Sequence, residues 1–211
     1  MKTMHSDLIK QLKQNQLHAR IIGCDEVGLG ALAGPITVGA VASPIILPKW
    51  WSEIKDSKSL SETKREVLFA KIVDSDIPWA TYDVSNTIID KLGYTAAIKL
   101  AFKQVLIKIR KEFSLSSDIF VIIDGSQPMD IGYPIVKADK FIKEVSAASI
   151  VAKVIRDRQM IEYDKIYSGY GFSANKGYGT DQHMKALVNY GISDIHRRSV
   201  KPIQRILDES M

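Results

Sequence analysis

The stretch Ile21-Ile22-Gly23-Cys24-Asp25-Glu26-Val27-Gly28-Leu29-Gly30 decides how the rest of the chain is read. A short apolar run that ends in two adjacent carboxylates, then two glycines one residue apart, predicts a buried strand breaking into a tight turn. Neighbouring side chains of a strand point to opposite faces, so Asp25 and Glu26 converge on one ligand only where the pleat stops. Gly28 and Gly30 are read as that stop, because without a Cβ they admit positive φ and the close approach of a phosphate or sugar. A polar β-turn is the plainer alternative. Against it, two acids beside an Ile/Val run cost roughly several kcal/mol to bury unless a cation or hydrogen bonds satisfy them.

Outward from this stretch the same grammar recurs. Ile36-Thr37-Val38-Gly39-Ala40-Val41-Ala42 reads as a second strand and Trp79 to Val84 as a third, entered at Pro78. Ser117-Asp118-Ile119-Phe120-Val121-Ile122-Ile123-Asp124-Gly125 repeats the opening design of apolar strand, acid and glycine. A strand apolar throughout belongs to a sheet covered on both faces, whose strand ends collect functional residues. Ile135-Val136-Lys137-Ala138-Asp139 reads as a shorter strand that again ends in an aspartate.

Helices fill the intervals. Ser59 and Glu62 have the spacing of a capping box, which predicts a helix from near Leu60 through Val67, Leu68 and Ile72. Lys58, on the loop before it, suits either a phosphate contact or a solvated lysine. A helical pattern over residues 86–113 breaks at Gly93, and residues 142–167 form a second long helix. In that helix Val145, Ala148, Ala152 and Ile155 make a small apolar packing stripe. Ser146, Ser149, Lys153 and Arg156 recur beside it, as a ligand-facing stripe or a solvated one. The segment from Gly169 to Thr180 interleaves glycines, aromatics and a lysine, which suits contact with sugars and phosphates or an ordinary glycine-rich turn. A helix over 181–190 ends at Gly191, His196-Arg197-Arg198 brings three cationic groups together, and a last helix starts near Lys201.

Composition bounds the reading. With 211 residues, 45% hydrophobic and 25% charged, the chain suits one globular domain with a short helical lead-in at 1–19 carrying Leu8, Ile9, Leu12 and Leu17. A net charge of +5 from 29 basic and 24 acidic residues permits a polyanionic partner without demanding one. The single cysteine, Cys24, excludes an intrachain disulfide and reads as core filler in a reducing compartment. No apolar run reaches bilayer length and no signal-peptide centre is visible, so a soluble, cytoplasmic protein without membrane contact is expected.

Asp25, Glu26, Asp124 and Asp139 would repel one another at the sheet's end without a counter-charge. An all-oxygen set favours Mg²⁺ or Mn²⁺, and no Cys/His cluster suggests zinc. Two such ions about 4 Å apart suit phosphodiester hydrolysis, one activating water and the other stabilising the leaving oxygen. Rossmann, P-loop and serine-nucleophile patterns are missing. His183 could assist, although a histidine on a helix face is more often structural.

Taken together, Gly23-x-Asp25-Glu26-Val27-Gly28-x-Gly30-x-Leu32-Ala33-Gly34-Pro35, Asp56-Ser57-Lys58, Asp124-Gly125, Lys137-Ala138-Asp139, Ser146 to Lys153 with Arg156-Asp157, Tyr170-Gly171-Phe172, Lys176-Gly177-Tyr178 and His196-Arg197-x-Ser199 resemble bacterial ribonuclease HII. The resemblance runs in order over residues 20 to 202. It implies an α/β, RNase H-like fold: a mixed central sheet flanked by helices, with a C-terminal helical extension, in one catalytic domain over 20–211. It implies endonucleolytic cleavage of the RNA strand of RNA/DNA hybrids and 5′ to single ribonucleotides in duplex DNA, leaving 3′-hydroxyl and 5′-phosphate ends. Asp25, Glu26, Asp124 and Asp139 become the catalytic quartet, with Asp25, Glu26 and Asp124 as ligands of Mn²⁺ or Mg²⁺. Gly28, Leu29 and Gly30 match the turn whose backbone reads the 2′-hydroxyl, and Tyr178 matches a tyrosine that stacks on the neighbouring sugar. Lys58, Lys153 and Arg197 are assigned to substrate contact. Leu29 departs from the family, which usually has arginine there, so a cationic phosphate contact is lost. A monomer is expected, and the tail from Gln204 lacks the aromatic pair of a sliding-clamp peptide. A resolvase-like nuclease and a catalytically silent nucleic-acid-binding module are the competing readings.

Overall fold

The computed structural model describes residues 20–127 and 129–209. The expected lead-in helix lies outside these residues. Five strands form one sheet in the order β3-β2-β1-β4-β5: β1 (Ile21–Val27), β2 (Ile36–Ala42), β3 (Trp79–Val84), β4 (Phe120–Asp124) and β5 (Tyr133–Ile135). The first three run antiparallel in sequence, while β4 is parallel to β1 and β5 to β4. Parallel pairing is the step that matters for function, because it brings the carboxyl ends of β1 and β4 to the same edge of the sheet.

Both faces are covered, as the apolar strands require. On one side lie α2 (Asn86–Leu92) and α3 (Tyr94–Glu112), separated by Gly93 at φ 76°, where a left-handed residue ends the first helix and starts the second. Ala97, Ala101, Phe102, Val105 and Ile109 of α3 pack on Ile22, Cys24, Val38, Ala40, Val121 and Ile123. Cys24 is fully enclosed there, and burial pushes its thiol up, away from reactivity. On the other side α4 (Lys143–Ile166) crosses the sheet, with α1 (Glu62–Val73) packed outside it. The approach of α4 depends on missing side chains. A Cβ on Gly23 would collide with the backbone of Glu144 and Val145, and one on Gly39 with the Ala148 carbonyl. Overpacking of this kind costs about 1–3 kcal/mol, which explains the stripe of small residues facing the sheet.

The C-terminal extension comprises α5 (Phe172–Asn175), α6 (Asp181–Tyr190) and α7 (Lys201–Glu209). It closes a separate core of Leu32, Met160, Tyr170, Phe172, Leu187, Ile195 and Ile203 at the end of α4. Among the described residues no helix is long and apolar enough to cross a membrane.

Two local expectations are corrected. The N-cap of α1 is Ser61, whose hydroxyl accepts from the Lys64 N–H; Ser59 instead closes a 3-10 turn over 57–59 and donates to the Asp56 carbonyl. The segment 135–139 is not one strand. β5 stops at Ile135, Lys137 takes the left-handed conformation at φ 61°, and Asp139 lies on a 3-10 turn over Ala138–Lys140. The four acids therefore occupy two strand ends and a turn.

Candidate active site

The register of β1 on β4 pairs Cys24 with Ile123, so Asp25 and Asp124 are the next residues along two neighbouring parallel strands. Alternation gives their direction. Ile22 and Cys24 enter the core with α3, as do Val121 and Ile123, which turns Asp25 and Asp124 to the α4 side. There Asp25 is buried and accepts a hydrogen bond at 2.8 Å from the Glu26 N–H, and the Ser149 hydroxyl of α4 favours its charged form. Ser149 is in turn bonded to Ser57 at 2.8 Å, tying the Asp56-Ser57-Lys58 loop to this end of the sheet. The left-handed Lys137 aims the Ala138 N–H at Asp124 Oδ1, 2.7 Å away, and the following Asp139 is held by Ser146, whose hydroxyl donates to the Asp139 carbonyl at 2.7 Å.

These acids feel one another. Burial, then the charges of Glu26 and Asp124, hold the Asp25 carboxyl well above the usual carboxylate range. Burial and then Asp124 push Glu26 up to about 7, with Lys58 pulling it partly back. Burial, Asp124 and Asp56 raise Asp139, against Lys58 and Lys140. Like charges and desolvation act in the same direction at three of the four positions, the pattern expected where a cation completes a site. Among the described residues no three His, Cys, Asp or Glu side chains already stand as a formed ion cage. The donor chemistry fits a hard divalent cation nonetheless: four carboxylates, three of them raised by burial and by neighbouring negative charge, with no nitrogen or sulfur donor among them.

Directly beyond the acids, the segment 28–35 forms the turn. Gly28 has φ 93°, and a Cβ there would collide with Arg156 Nε. Gly30 differs from expectation. Its φ is not positive, and a Cβ on it would meet nothing within 4 Å, so glycine there leaves open space in front of the turn. Two guanidiniums brace the turn from behind. Arg156 donates to the carbonyls of Pro35 at 2.9 Å, Ala33 at 3.2 Å and Lys176 at 2.9 Å. Arg197 donates to Gly34 at 2.9 Å, Leu29 at 3.0 Å and Pro35 at 3.0 Å, and to the Tyr94 hydroxyl at 2.9 Å. Burial pulls Arg156 down to about 10, so it stays charged at neutral pH.

Both arginines are fully enclosed, at 0% exposure. Arg197 is thus an internal brace and not a direct substrate contact, and the expected cationic trio is reduced to Arg198, since His196 is buried as well. Arg156 also settles the open question about α4, because its stripe is neither solvated nor ligand-facing at that position. Lys153 is half-buried in an ion pair with Asp157 at 2.7 Å, whereas Lys58 and Leu29 are exposed. Tyr178 pairs across an isolated bridge with Ala31, next to the turn, and the Arg156 guanidinium lies 5.5 Å from its ring centre.

The sequence profile of the family Ribonuclease HII matches residues 22–203. The chain belongs to the ribonuclease HII family. It is 40% identical over 210 residues to ribonuclease HII of Desulfitobacterium hafniense, covering 95% of this chain and 76% of that protein. It is 39% identical over 203 residues to the ribonuclease HII of Dehalococcoides mccartyi, covering 94% and 93%. Among solved structures it is similar to ribonuclease H2 from Pyrococcus horikoshii, with a TM-score of 0.69 and 26% identity over 90% of this chain and 98% of the other. The fold is the α/β ribonuclease H fold, and membership in the family makes the chain a ribonuclease H, an endonuclease dependent on divalent metal ions.

Proposed function

We propose that this ribonuclease H hydrolyses the RNA strand of RNA/DNA hybrids and cuts 5′ to single ribonucleotides in duplex DNA, leaving 3′-hydroxyl and 5′-phosphate ends. The observation that carries this reading is the continuity of β1 into the braced turn: Asp25 and Glu26 are separated from Gly28 by one residue, so a group read by the turn lies beside the acids. Asp25, Glu26 and Asp124 hold Mn²⁺ or Mg²⁺, and Asp139 completes the quartet. Two such ions, when bound, supply an activated water and charge stabilisation at the leaving oxygen. The backbone of Gly28 to Gly30 recognises the 2′-hydroxyl, the group that separates RNA from DNA, while Tyr178 stacks on the adjoining sugar. Lys58 and Lys153 attract the phosphates, and Arg197 acts through the turn that it holds.

The test is a DNA duplex carrying one ribonucleotide, incubated with Mn²⁺ or Mg²⁺ beside an RNA/DNA hybrid, an all-DNA duplex and a four-way junction. Cutting of the hybrid and of the duplex only at the ribonucleotide, lost in Asp124→Asn, is the expected result. Cutting of the junction or of all-DNA duplex would overturn it, as would binding without cleavage.

The open space at Gly30 gives a sharper expectation. Gly30→Ala adds a methyl that no protein atom opposes, so stability should stay within about 0.5 kcal/mol. If a sugar packs there, the methyl displaces it and kcat/KM falls by about a hundredfold. A melting curve with steady-state kinetics checks both, and an unchanged kcat/KM would remove the turn from substrate recognition. Leu29, 36% exposed, sits where a cation would reach a phosphate. Leu29→Arg is expected to lower KM and to steepen its salt dependence by about one unit of log–log slope, with preference for ribonucleotides unchanged. A salt slope identical to the parent's would show that no phosphate passes this position.

A further inference from the structure

We infer that His183 and His196 form a relay locked in one tautomer, which sets the position of Tyr178 beside the turn. Both rings are buried, far from the carboxylates in sequence and in a different core. Three groups of Ser193 lie at His196 Nδ1: the backbone N–H at 2.8 Å, the hydroxyl at 2.9 Å and the backbone carbonyl at 3.3 Å. The N–H can only donate and is the shortest of the three, so Nδ1 accepts, and the hydroxyl can donate to the same nitrogen while the carbonyl stands farthest away. A neutral His196 then carries its proton on Nε2. The two Nε2 atoms are 3.0 Å apart, a distance that needs one proton between them, so His183 Nε2 accepts. His183 is left with its proton on Nδ1, 3.0 Å from the Tyr178 carbonyl, to which it donates. The chain of bonds runs from Ser193 through both rings to Tyr178.

The relay has a structural consequence because of what it joins. Leu32 and Ala33 donate their N–H groups to the Gly177 carbonyl, and Ala31 bridges to Tyr178. On the other edge, Gly34 donates to Ile195, Arg197 donates to Leu32, and Ala33 bridges to His196. The segment 31–34 is therefore flanked by 177–178 and by 195–197, and the two histidines connect the flanks directly. The neighbours are neutral: the rings of Tyr170 and Phe172 lie 5.2 to 6.4 Å from the two imidazoles, Tyr178 contributes a backbone carbonyl, and Ser193 contributes its backbone and its hydroxyl. No carboxylate of the described residues bonds to either ring, and burial lowers both from the ordinary histidine range. A second proton on His183 would set N–H against N–H across the 3.0 Å gap, and one on His196 would set Nδ1–H against the Ser193 N–H at 2.8 Å, so the neutral pair is the one compatible with this packing.

The role of Tyr178 in binding the substrate rests on the function proposed above, whereas the tautomers do not. They are read by ¹⁵N NMR of the full chain labelled in its four histidines, His5, His18, His183 and His196, with His196→Gln and His183→Asn as assignment variants. The expected pattern is an unprotonated Nδ1 on His196 and a protonated Nδ1 on His183, both unchanged down to about pH 5.5. A protonated Nε2 on His183, or titration of either ring near pH 6.5, would overturn the relay whatever the activity. The positioning role is read by kinetics. An asparagine side-chain amide keeps a donor in the place of Nδ1, so His183→Asn should retain KM close to the parent value. His183→Leu should raise KM about tenfold, with a smaller effect on kcat, and add nothing further in a Tyr178→Ala background. Full additivity of the two changes, or no rescue by His183→Asn, would overturn the positioning role. A Tyr178→Ala enzyme with parental KM would instead overturn the assignment of Tyr178 to the sugar, and with it the kinetic consequence, while leaving the spectroscopic result to decide the relay.

Discussion

Glu26→Gln should lower kcat by on the order of 10³ and yet leave the metal-free protein more stable than the parent at pH 8. The two effects share one cause. In the metal-free fold the Glu26 carboxyl is pushed up to about 7 from an ordinary 4.5, by burial first and by Asp124 second. A raised carboxylate makes the folded protein hold a proton that the unfolded chain has already released. Its contribution is therefore largest below pH 4.5 and is lost as pH rises through about 7. The shift corresponds to about 3 kcal/mol as an upper bound, because neighbouring charges relax together. Glutamine cannot ionise and escapes the penalty. Asp25 and Asp139 carry the same sign. His196 carries the opposite one: burial lowers it to about 4 from 6.5, so its contribution is complete above pH 6.5 and is lost as pH falls toward 4.

Thermal melts of parent and variant in chelator, from pH 4 to 8, measure these slopes. The gain of Glu26→Gln should appear above pH 5 and grow to pH 8. Addition of Mn²⁺ or Mg²⁺ at pH 8 should then stabilise the parent more than the variant, since a ligand bound only by the folded state stabilises it by mass action. A variant less stable than the parent in chelator at pH 8 would show that the acids are not an electrostatically strained set.

How much of this was legible in the sequence differs by element, for physical reasons. β1, β2, β3 and β4 were legible because apolar runs ended by acids, glycines or prolines leave few alternatives, and the break at Gly93 was legible because glycine readily takes φ 76°. β5 was overextended because Val136-Lys137-Ala138 continues an extended-looking pattern. Only the positive φ of Lys137, which no local residue type announces, stops it. The cap of α1 is ambiguous in the sequence because Ser59 and Ser61 both precede the helix, and the choice depends on Asp56 capturing the first in a tight turn. The acids were each visible, but their meeting depends on the β1–β4 register, a pairing across about a hundred residues that periodicity does not encode. The place of the two arginines is illegible in the sequence for a similar reason. Composition cannot distinguish a basic surface from a guanidinium buried among carbonyls, and the carbonyls satisfying Arg156 and Arg197 come largely from a turn more than a hundred residues upstream. An arginine set in a stripe of alanines and serines was the available hint.

That burial decides what Arg197→Lys should do. The two residues have the same charge, so a role in attracting phosphate would survive the change almost intact. The geometry requires more than charge. Arg197 spreads three nitrogens over the carbonyls of Leu29, Gly34 and Pro35 and the Tyr94 hydroxyl, a fork that a single ammonium on a flexible stem cannot reproduce. Arg156 still holds Pro35, but among the described residues no other side chain bonds Leu29 or Gly34 through these carbonyls. Leaving the buried Gly34 carbonyl without a donor costs about 1–3 kcal/mol, the part-buried Leu29 carbonyl costs less, and the displaced ammonium remains buried, so a loss of about 3 kcal/mol is expected. The Leu29 carbonyl is the anchor at the tip of the turn, one residue from the open space at Gly30. Its release should misplace the recognition surface and lower kcat/KM by about a hundredfold. Denaturant melts, with KM measured across a salt series, separate the alternatives: an internal brace predicts lower stability with the salt slope unchanged, because no phosphate contact is lost. If Arg197→Lys melted like the parent and altered only the salt slope, the guanidinium would have to reach the nucleic acid, and the enclosed fork would be the wrong description of the turn.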